Sequence, residues 1–430
     1  MSVADETSRP RIVFVSCRPP FPLDNGARIR TYQLLSGLAT SFDTVLVTFE
    51  RDPWDHRGPA SIEELGALLP GVEIFTAPPP RRHKRASQMA SLLGRSSWTL
   101  GCYDASALAV AVARAVRTHH PELIHFDDPH VALLAPIANA VNVYSAHNIE
   151  GTILRLQSRA GSPVRRLFNT IEALKVDHEE ARVWRTVDLC LAVSSLDAAA
   201  MKAHGGRVEI CPNGVDPVER LPLRTPGWNE PLRLLFVGSG NYLPYERGLA
   251  WMVREVLPRL RSRAAVTFNV VGEPPRNPVD GDDVCYVGRV ASVAPHYADA
   301  DVVVVPVFEG SGTRLKIIEA AAYGRPVVST RLGAEGLPLV ASEHYFEADD
   351  AADFADAVLQ CADWYRDPES SGLLRMLDAA QKAIEPLMWS RIVENLVGLY
   401  RTELQRSGKQ WLDPGRASRS RHVDSSHGEQ

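Results

Sequence analysis

Chemistry-bearing residues are densest at Glu309-Gly310-Ser311-Gly312-Thr313-Arg314-Leu315-Lys316, with Glu319 close behind. An apolar run at 302–305 leads in and an apolar-faced periodic stretch follows, which predicts a strand, a tight turn and a helix. Small residues in such a turn let backbone N–H groups approach an anion closely, and the helix N-terminus adds partial positive charge. Cations are disfavoured at that end of a helix. Arg314 and Lys316 at the helix start therefore make most sense if an anion offsets them. Glu319, about a turn and a half further on, can accept hydrogen bonds from sugar hydroxyls. The plain alternative is a strand-to-helix turn with solvated charges.

Three further places have the residue types for chemistry. Gly238-Ser239-Gly240 follows the apolar run 232–237 and could begin a dinucleotide fingerprint, but Leu243 stands where a third Gly is needed. No cofactor is expected there. His147 closes another strand-like run, with Asn148 and Glu150 beside it. It is read either as a hydrogen-bonded structural histidine or as a group facing substrate. Asp24, Asn25, Gly26 and Arg28 form a loop after the first strand, where Gly26 allows close approach of backbone to a phosphate or simply makes a turn.

Metal readings are weaker. Asp280-Gly281-Asp282 lies in a Pro/Gly-rich loop and reads as a solvated turn. His125, Asp127, Asp128 and His130 have local hydrogen-bonding uses, so no metal is expected.

The elements that must position these residues alternate along the chain. Strand-like runs at 11–16, 44–49, 122–126, 141–145 and 188–193 are interleaved with helical stretches at 29–39, 105–117 and 164–187. A second series has strands at 232–237, 266–271, 284–287, 301–307 and 326–329, and helices at 248–261, 290–298 and 314–323. Apolar strands alternating with amphipathic helices predict parallel sheets covered on both faces. The expected fold class is α/β, with two doubly wound, Rossmann-like domains facing a cleft. Ligands of such sheets bind where strand C-termini meet helix N-termini. Pro, Gly and Asn concentrate at 211–230, which sets the expected division: 1–215, 216–387, a terminal helix at 388–406 and a tail at 407–430. The polar, Ser-rich composition of that tail predicts disorder.

Composition narrows the function classes. The 430 residues carry a net charge of −5 with 45% hydrophobic residues, ordinary for a globular protein and unlike a dedicated nucleic-acid binder. Only six residues are Lys (84, 175, 202, 316, 382 and 409), so Lys316 in the turn is notable. The six Cys are scattered without a C-x-x-C pair, which suits a reducing cytosol. No stretch has the length and apolarity of a spanning helix, and the N-terminus lacks a signal-peptide pattern. A cytoplasmic location is expected. The basic run Arg81-Arg82-His83-Lys84-Arg85 is either a solvated loop or a peripheral contact with anionic lipid on the inner face of the cell membrane, made through Arg81, Arg82, Lys84 and Arg85.

The stretch GSGTRLKIIEAAAYGRPVVSTRLGAEGL, residues 310–337, resembles the donor-binding segment of bacterial GT-B glycosyltransferases, in the retaining family called family 4 or group 1. Further stretches resemble the same family: 11–49 with its PP-x-P-x-DNG-x-R-x-R loop, VYSAHNIE at 143–150, PNGVD at 212–216, FVGSGNYLP at 236–244 and MWSRIVENLVGLYR at 388–401. The resemblance implies a GT-B fold whose first domain takes the acceptor, whose second takes a nucleotide sugar, and whose terminal helix crosses back to the first.

By motif, Glu319 matches the glutamate that binds the donor ribose. Gly310 to Thr313 would cradle the diphosphate, with Gly26, Gly238 and Ser239 also on the donor side. His147 would contact the reacting sugar or position the acceptor. Glu309 is the candidate for the family's first glutamate, but nine residues separate it from Glu319 where seven are usual, and Ser311 holds the strict position. The arginine and lysine that often follow the first Gly are also missing. Ser239 stands in place of the arginine and Arg247 is displaced. Arg314 and Lys316 are inferred to take over that role.

The resemblance thus implies sugar transfer from a UDP- or GDP-type donor to a hydroxyl of a glycan, lipid-linked or small-molecule acceptor, as in polysaccharide biosynthesis, with retention and without metal. The alternatives are a nucleotide-sugar epimerase or hydrolase of the same architecture, or a non-catalytic relative that binds sugar nucleotides.

Overall fold

A computed structural model of the chain describes residues 9–53, 62–80, 84–159, 162–223, 230–310, 312–366 and 372–408. Of the basic run at 81–85, Arg81 and Arg82 lie outside the described residues, while Lys84 and Arg85 open the helix Lys84–Leu93. The predicted tail lies outside them from residue 409 onward.

Two parallel sheets form. The first has strands β1 (Arg11–Ser16), β2 (Asp43–Phe49), β3 (Glu73–Ala77), β4 (Leu123–Asp127), β5 (Val141–Ser145), β6 (Leu189–Ala192) and β7 (Val208–Ile210), in the order β3-β2-β1-β4-β5-β6-β7. The second has β8 (Leu232–Val237), β9 (Val266–Val271), β10 (Val284–Gly288), β11 (Val302–Val305), β12 (Val327–Ser329) and β13 (Phe346–Glu347), in the order β10-β9-β8-β11-β12-β13. The central strands are buried almost throughout because helices cover both faces, which is why they read as continuous apolar runs. In each sheet the order reverses beside the first strand, at β1/β4 and at β8/β11. Those are the switch points where a crevice opens at the strand C-termini.

The chain passes between the domains twice, and the two passages lie side by side. Val215 N donates to Leu387 O at 2.9 Å, and Trp389 N donates to Val215 O at 3.1 Å. Arg30, buried in the helix Gly26–Ala39, clamps the first passage: Nη1 donates to Pro212 O and Nη2 to Cys211 O, each at 2.8 Å.

After the second passage, the helix Trp389–Ser407 lies on the first domain. Its Trp389, Ile392, Leu396, Val397 and Tyr400 join the core formed by Ile12, Phe14, Leu34 and Leu38. Gly37 leaves room for Val393 there, and Glu403 pairs with Arg207. The apolar face recurs at three- and four-residue spacing, so the helix is amphipathic by sequence, but only a partner face makes it stable. Leu396→Ala should therefore cost about 3 kcal/mol by cavity formation, read as a lower urea midpoint at unchanged m-value. A loss below half a kcal/mol would show that this helix contributes little to the first domain.

Candidate functional site

The carboxyl ends of both sheets meet across the cleft, and the predicted residues fall there. After β11, Gly310 (φ +123°) and Gly312 (φ +74°) shape the turn, and Thr313 leads into the helix Leu315–Ala322. At Gly312 both backbone and space demand glycine, since a side chain would strike Asn148 Oδ1 of the first domain. Ser311 lies outside the described residues. The Thr313 hydroxyl accepts from Asn213 Nδ2 at 2.9 Å, tying the turn to the interdomain passage. Gly26 sits against Leu315, so the first-domain loop reaches the same helix start.

Arg314 does not enter the helix, as its spacing had suggested, but caps it in an extended conformation. Its guanidinium folds back, and Nη1 donates to Gly312 O at 2.5 Å. Lys316 is in the first turn, 5% exposed, and its Nζ has no hydrogen-bond partner among the described residues. The ammonium instead lies over two aromatic faces, 3.5 Å from the Tyr245 ring centre and 3.7 Å from that of Phe236. It points at Gly238 (φ +152°), where any side chain would strike it. Ser239, half-buried, follows in the same loop. Burial, reinforced by Arg314, holds the Lys316 ammonium well below the usual lysine range, with Glu319 opposing. Two buried cations within one turn, one of them without a hydrogen-bond partner among the described residues, leave positive charge that an anion could offset.

Glu319 follows on the same helix. Its carboxylate accepts from the Tyr297 hydroxyl at 3.1 Å, and burial raises its pKa. Glu309 is held differently, by Arg247 Nη1 at 2.7 and 2.8 Å from its two oxygens. The arginine displaced from its usual place in sequence thus meets the glutamate of unusual spacing. Tyr242 lies close to Gly310, and burial pushes its phenol up to about 12, with Arg314 opposing, so it remains a hydroxyl donor at neutral pH.

On the first-domain side, His147 follows β5 and is 16% exposed. Its Nε2 lies 3.0 Å from Oδ1 of Asp127, the last residue of β4. The loop it sits on is held by Glu180 from the helix Pro163–Thr186, which accepts from the N–H groups of Glu150 and Gly151 at 2.9 and 3.1 Å. Asp197 accepts from the Ser194 hydroxyl at 2.7 Å; burial raises its pKa, with Ser194 and the charge of Arg314 opposing. Arg289 Nη1 donates to Asp24 at 2.8 Å and Nη2 to Glu273 at 2.7 Å, a second bridge between the domains.

The structure therefore brings Gly26, His147, Gly238, Ser239, Glu309, Gly310, Gly312, Thr313, Arg314, Lys316 and Glu319 to one cleft. Sequence reasoning read Asp127 as a weak metal ligand with local hydrogen-bonding uses and not as the partner of His147, and it missed Asp197, Asn213, Tyr242, Tyr245 and Tyr297. The paired tyrosines in NYLPYE, three residues apart on a helix start, carried a signal that could have been read; the others are adjacent only in space.

Among the described residues, no group of three or more His, Cys, Asp or Glu is placed to hold a metal, and no helix is long and apolar enough to cross a membrane. Asp280 and Asp282 are exposed on their loop.

Two expectations follow from the buried charges. Because an unpaired buried cation opposes folding, Lys316→Met should raise the Tm of the nucleotide-free protein; a fall would mean the aromatic faces fully offset burial. Glu180 is pushed up to about 8 by burial, although both backbone N–H groups oppose it. A folded-state pKa above the unfolded one gives stability that is full below the unfolded pKa and is lost as pH rises through the folded value. Glu180→Gln, which keeps an acceptor oxygen, should hence show a Tm advantage that widens between pH ~5 and ~8; a constant difference would remove the assignment.

Residues 231–363 match the family model described as glycosyl transferases group 1. No curated protein matches the chain in sequence. Among solved structures, sucrose-phosphate synthase from Thermosynechococcus elongatus superposes with a TM-score of 0.68 at 17% identity, covering 93% of this chain and 100% of that one. Anabaena HepE, solved with UDP-glucose, gives 0.61 at 16% identity over 91% and 99% of the two chains. WaaG, a glycosyltransferase involved in lipopolysaccharide biosynthesis, gives 0.58 at 13% identity over 90% and 99%. At such identities these are likenesses of fold. With the family match over the second domain and the two-sheet architecture, the chain is a glycosyltransferase of GT-B fold whose second domain is of group 1 type.

Proposed function

We propose that the enzyme transfers a sugar from a UDP- or GDP-type nucleotide sugar to an acceptor hydroxyl, with retention of configuration and without a metal. The observation that carries this reading is the buried, unpaired Lys316 ammonium beside Arg314 and the 310–313 turn. A diphosphate would supply the missing negative charge, and Glu319, held by Tyr297, is disposed to accept from ribose hydroxyls. HepE was solved with UDP and glucose and with UDP-glucose, which favours a uridine donor for this chain as well. The acceptor, whether glycan, lipid-linked or small-molecule, would enter from the first domain beside His147. For a lipid-linked acceptor, the basic segment 81–85 would contact the inner face of the membrane. The protein would then work in the cytoplasm.

Catalysis on this reading is alignment plus stabilisation of charge on the departing diphosphate. The two cations and the backbone amides meet charge that grows as the glycosidic bond breaks. The leaving phosphate oxygen would take the acceptor proton on the same face, so no side-chain nucleophile is needed. Each cation then contributes about 3 kcal/mol to the transition state. Arg314→Ala and Lys316→Ala should each slow transfer by about two orders of magnitude, measured as nucleoside diphosphate released from a panel of nucleotide sugars with and without acceptor. Unchanged turnover in both would sink the assignment. Release without any acceptor would favour the hydrolase alternative, nucleotide binding without turnover a non-catalytic relative. Full activity in EDTA, with a product of the donor's anomeric configuration by NMR, tests metal independence and retention.

A further inference from the structure

His147 does not stand alone at the cleft; it bonds a buried carboxylate around which further polar groups gather. Tyr400 Oη lies 2.5 Å from His125 Nδ1. His125, fully buried and stacked on Phe14 at 4.1 Å, turns its Nε2 toward Asp127 Oδ1, 3.6 Å away. Asp127 Oδ1 meets His147 Nε2 at 3.0 Å, and the Thr31 hydroxyl reaches Asp127 Oδ2 at 2.5 Å. Asp127 is 1% exposed and has neither Lys nor Arg as a partner among these contacts.

The direction of each proton follows from the chemistry of the groups. A carboxylate without a proton only accepts. Burial alone would raise the pKa of Asp127, but His147 and His125 beside it outweigh that and keep it below the usual carboxylate range. Burial keeps the Tyr400 hydroxyl protonated and lowers the pKa of His125, so that ring is neutral. Tyr400 thus donates to Nδ1 of His125, whose one proton is on Nε2 and faces Asp127. Thr31 donates to the same carboxylate. His147 Nε2 must donate as well, and in the neutral ring this leaves the lone pair on Nδ1.

Resting on the proposed role of His147 in transfer, we infer that Asp127 is a positioning residue: it locks His147 in the Nε2–H tautomer, so that Nδ1 accepts a hydrogen bond from a substrate hydroxyl. Tyr400 on the terminal helix bonds His125, whose Nε2 lies beside the same carboxylate but beyond hydrogen-bond distance. The ring is then a hydroxyl acceptor at the sugar, not a proton donor to the leaving diphosphate. A purely structural Asp127 would hold Thr31 and the helix Gly26–Ala39 but would leave the tautomer of His147 unconstrained by function.

The test is long-range 1H–15N NMR on the full-length, 15N-histidine-labelled enzyme, with His147→Ala assigning the signal. The expected result is His147 as the Nε2–H tautomer in the wild type. In Asp127→Asn the single amide oxygen is contested by Thr31, and the NH2 turned to Nε2 should reverse His147 to Nδ1–H. Transfer by that variant should fall in kcat by about 10- to 100-fold, the cost of one misplaced hydrogen bond, with donor KM little changed. Asp127→Asn combined with His147→Ala should be no slower than His147→Ala alone. A wild-type His147 in the Nδ1–H form overturns the inference even if no variant folds, as does a reversed tautomer with unchanged kcat. Failure of the proposed function looks different: a wild type that consumes no nucleotide sugar while keeping the Nε2–H signal.

Discussion

Everything at the cleft depends on how the two chain passages between the domains are joined. Val215 pairs with Leu387 and Trp389 across the gap, and Arg30 grips the carbonyls of Cys211 and Pro212 from below. A guanidinium presents several rigidly disposed donors, so one side chain can satisfy adjacent carbonyls of a segment with no sheet partner of its own. With both passages tied at one place, the carboxyl ends of the two sheets face each other. The contact of Asn213 with Thr313 then carries that alignment directly into the turn of the candidate anion site.

The second domain contributes concentrated and poorly compensated positive charge. A solvated lysine would serve a phosphate only weakly, because water screens it. Beneath Gly238, the Lys316 ammonium lies over aromatic faces, with no hydrogen-bond partner among the described residues. Arg314 differs, being partly satisfied by the Gly312 carbonyl, and so shapes the turn as well as charging it. Glu309, by contrast, is bound by Arg247 at the rim, where the pair offsets its own charge.

The first domain contributes the opposite pattern: donors gathered on one buried carboxylate at the end of β4. Its direct donors come from the turn after β5 (His147) and the helix Gly26–Ala39 (Thr31), while Tyr400 of the terminal helix bonds the neighbouring His125. The terminal helix thus reaches the neighbourhood of this carboxylate through His125, without a hydrogen bond to Asp127 itself.

Much of the architecture was legible in the residues. The central strands are buried on both faces, and burial writes itself as unbroken Val, Leu and Ile. The edge strands β3, β7 and β13 escaped notice because they are short and half-exposed, with little apolar pattern to read. The 310–319 segment was legible for a local reason, since its glycines, cations and Glu319 are neighbours in sequence and act as neighbours in space. The partners of Asp127, Tyr400, Asn213 and Asp197 were not, because each works through a contact made across 20 or more positions of chain. What the sequence by itself determined was the pair of parallel sheets and the Gly-rich turn with its cations, both set by local periodicity and composition. Only the tertiary structure decided which buried charges lack partners and where the proton of His147 must sit, because electrostatic pairing depends on distance through space and not along the chain.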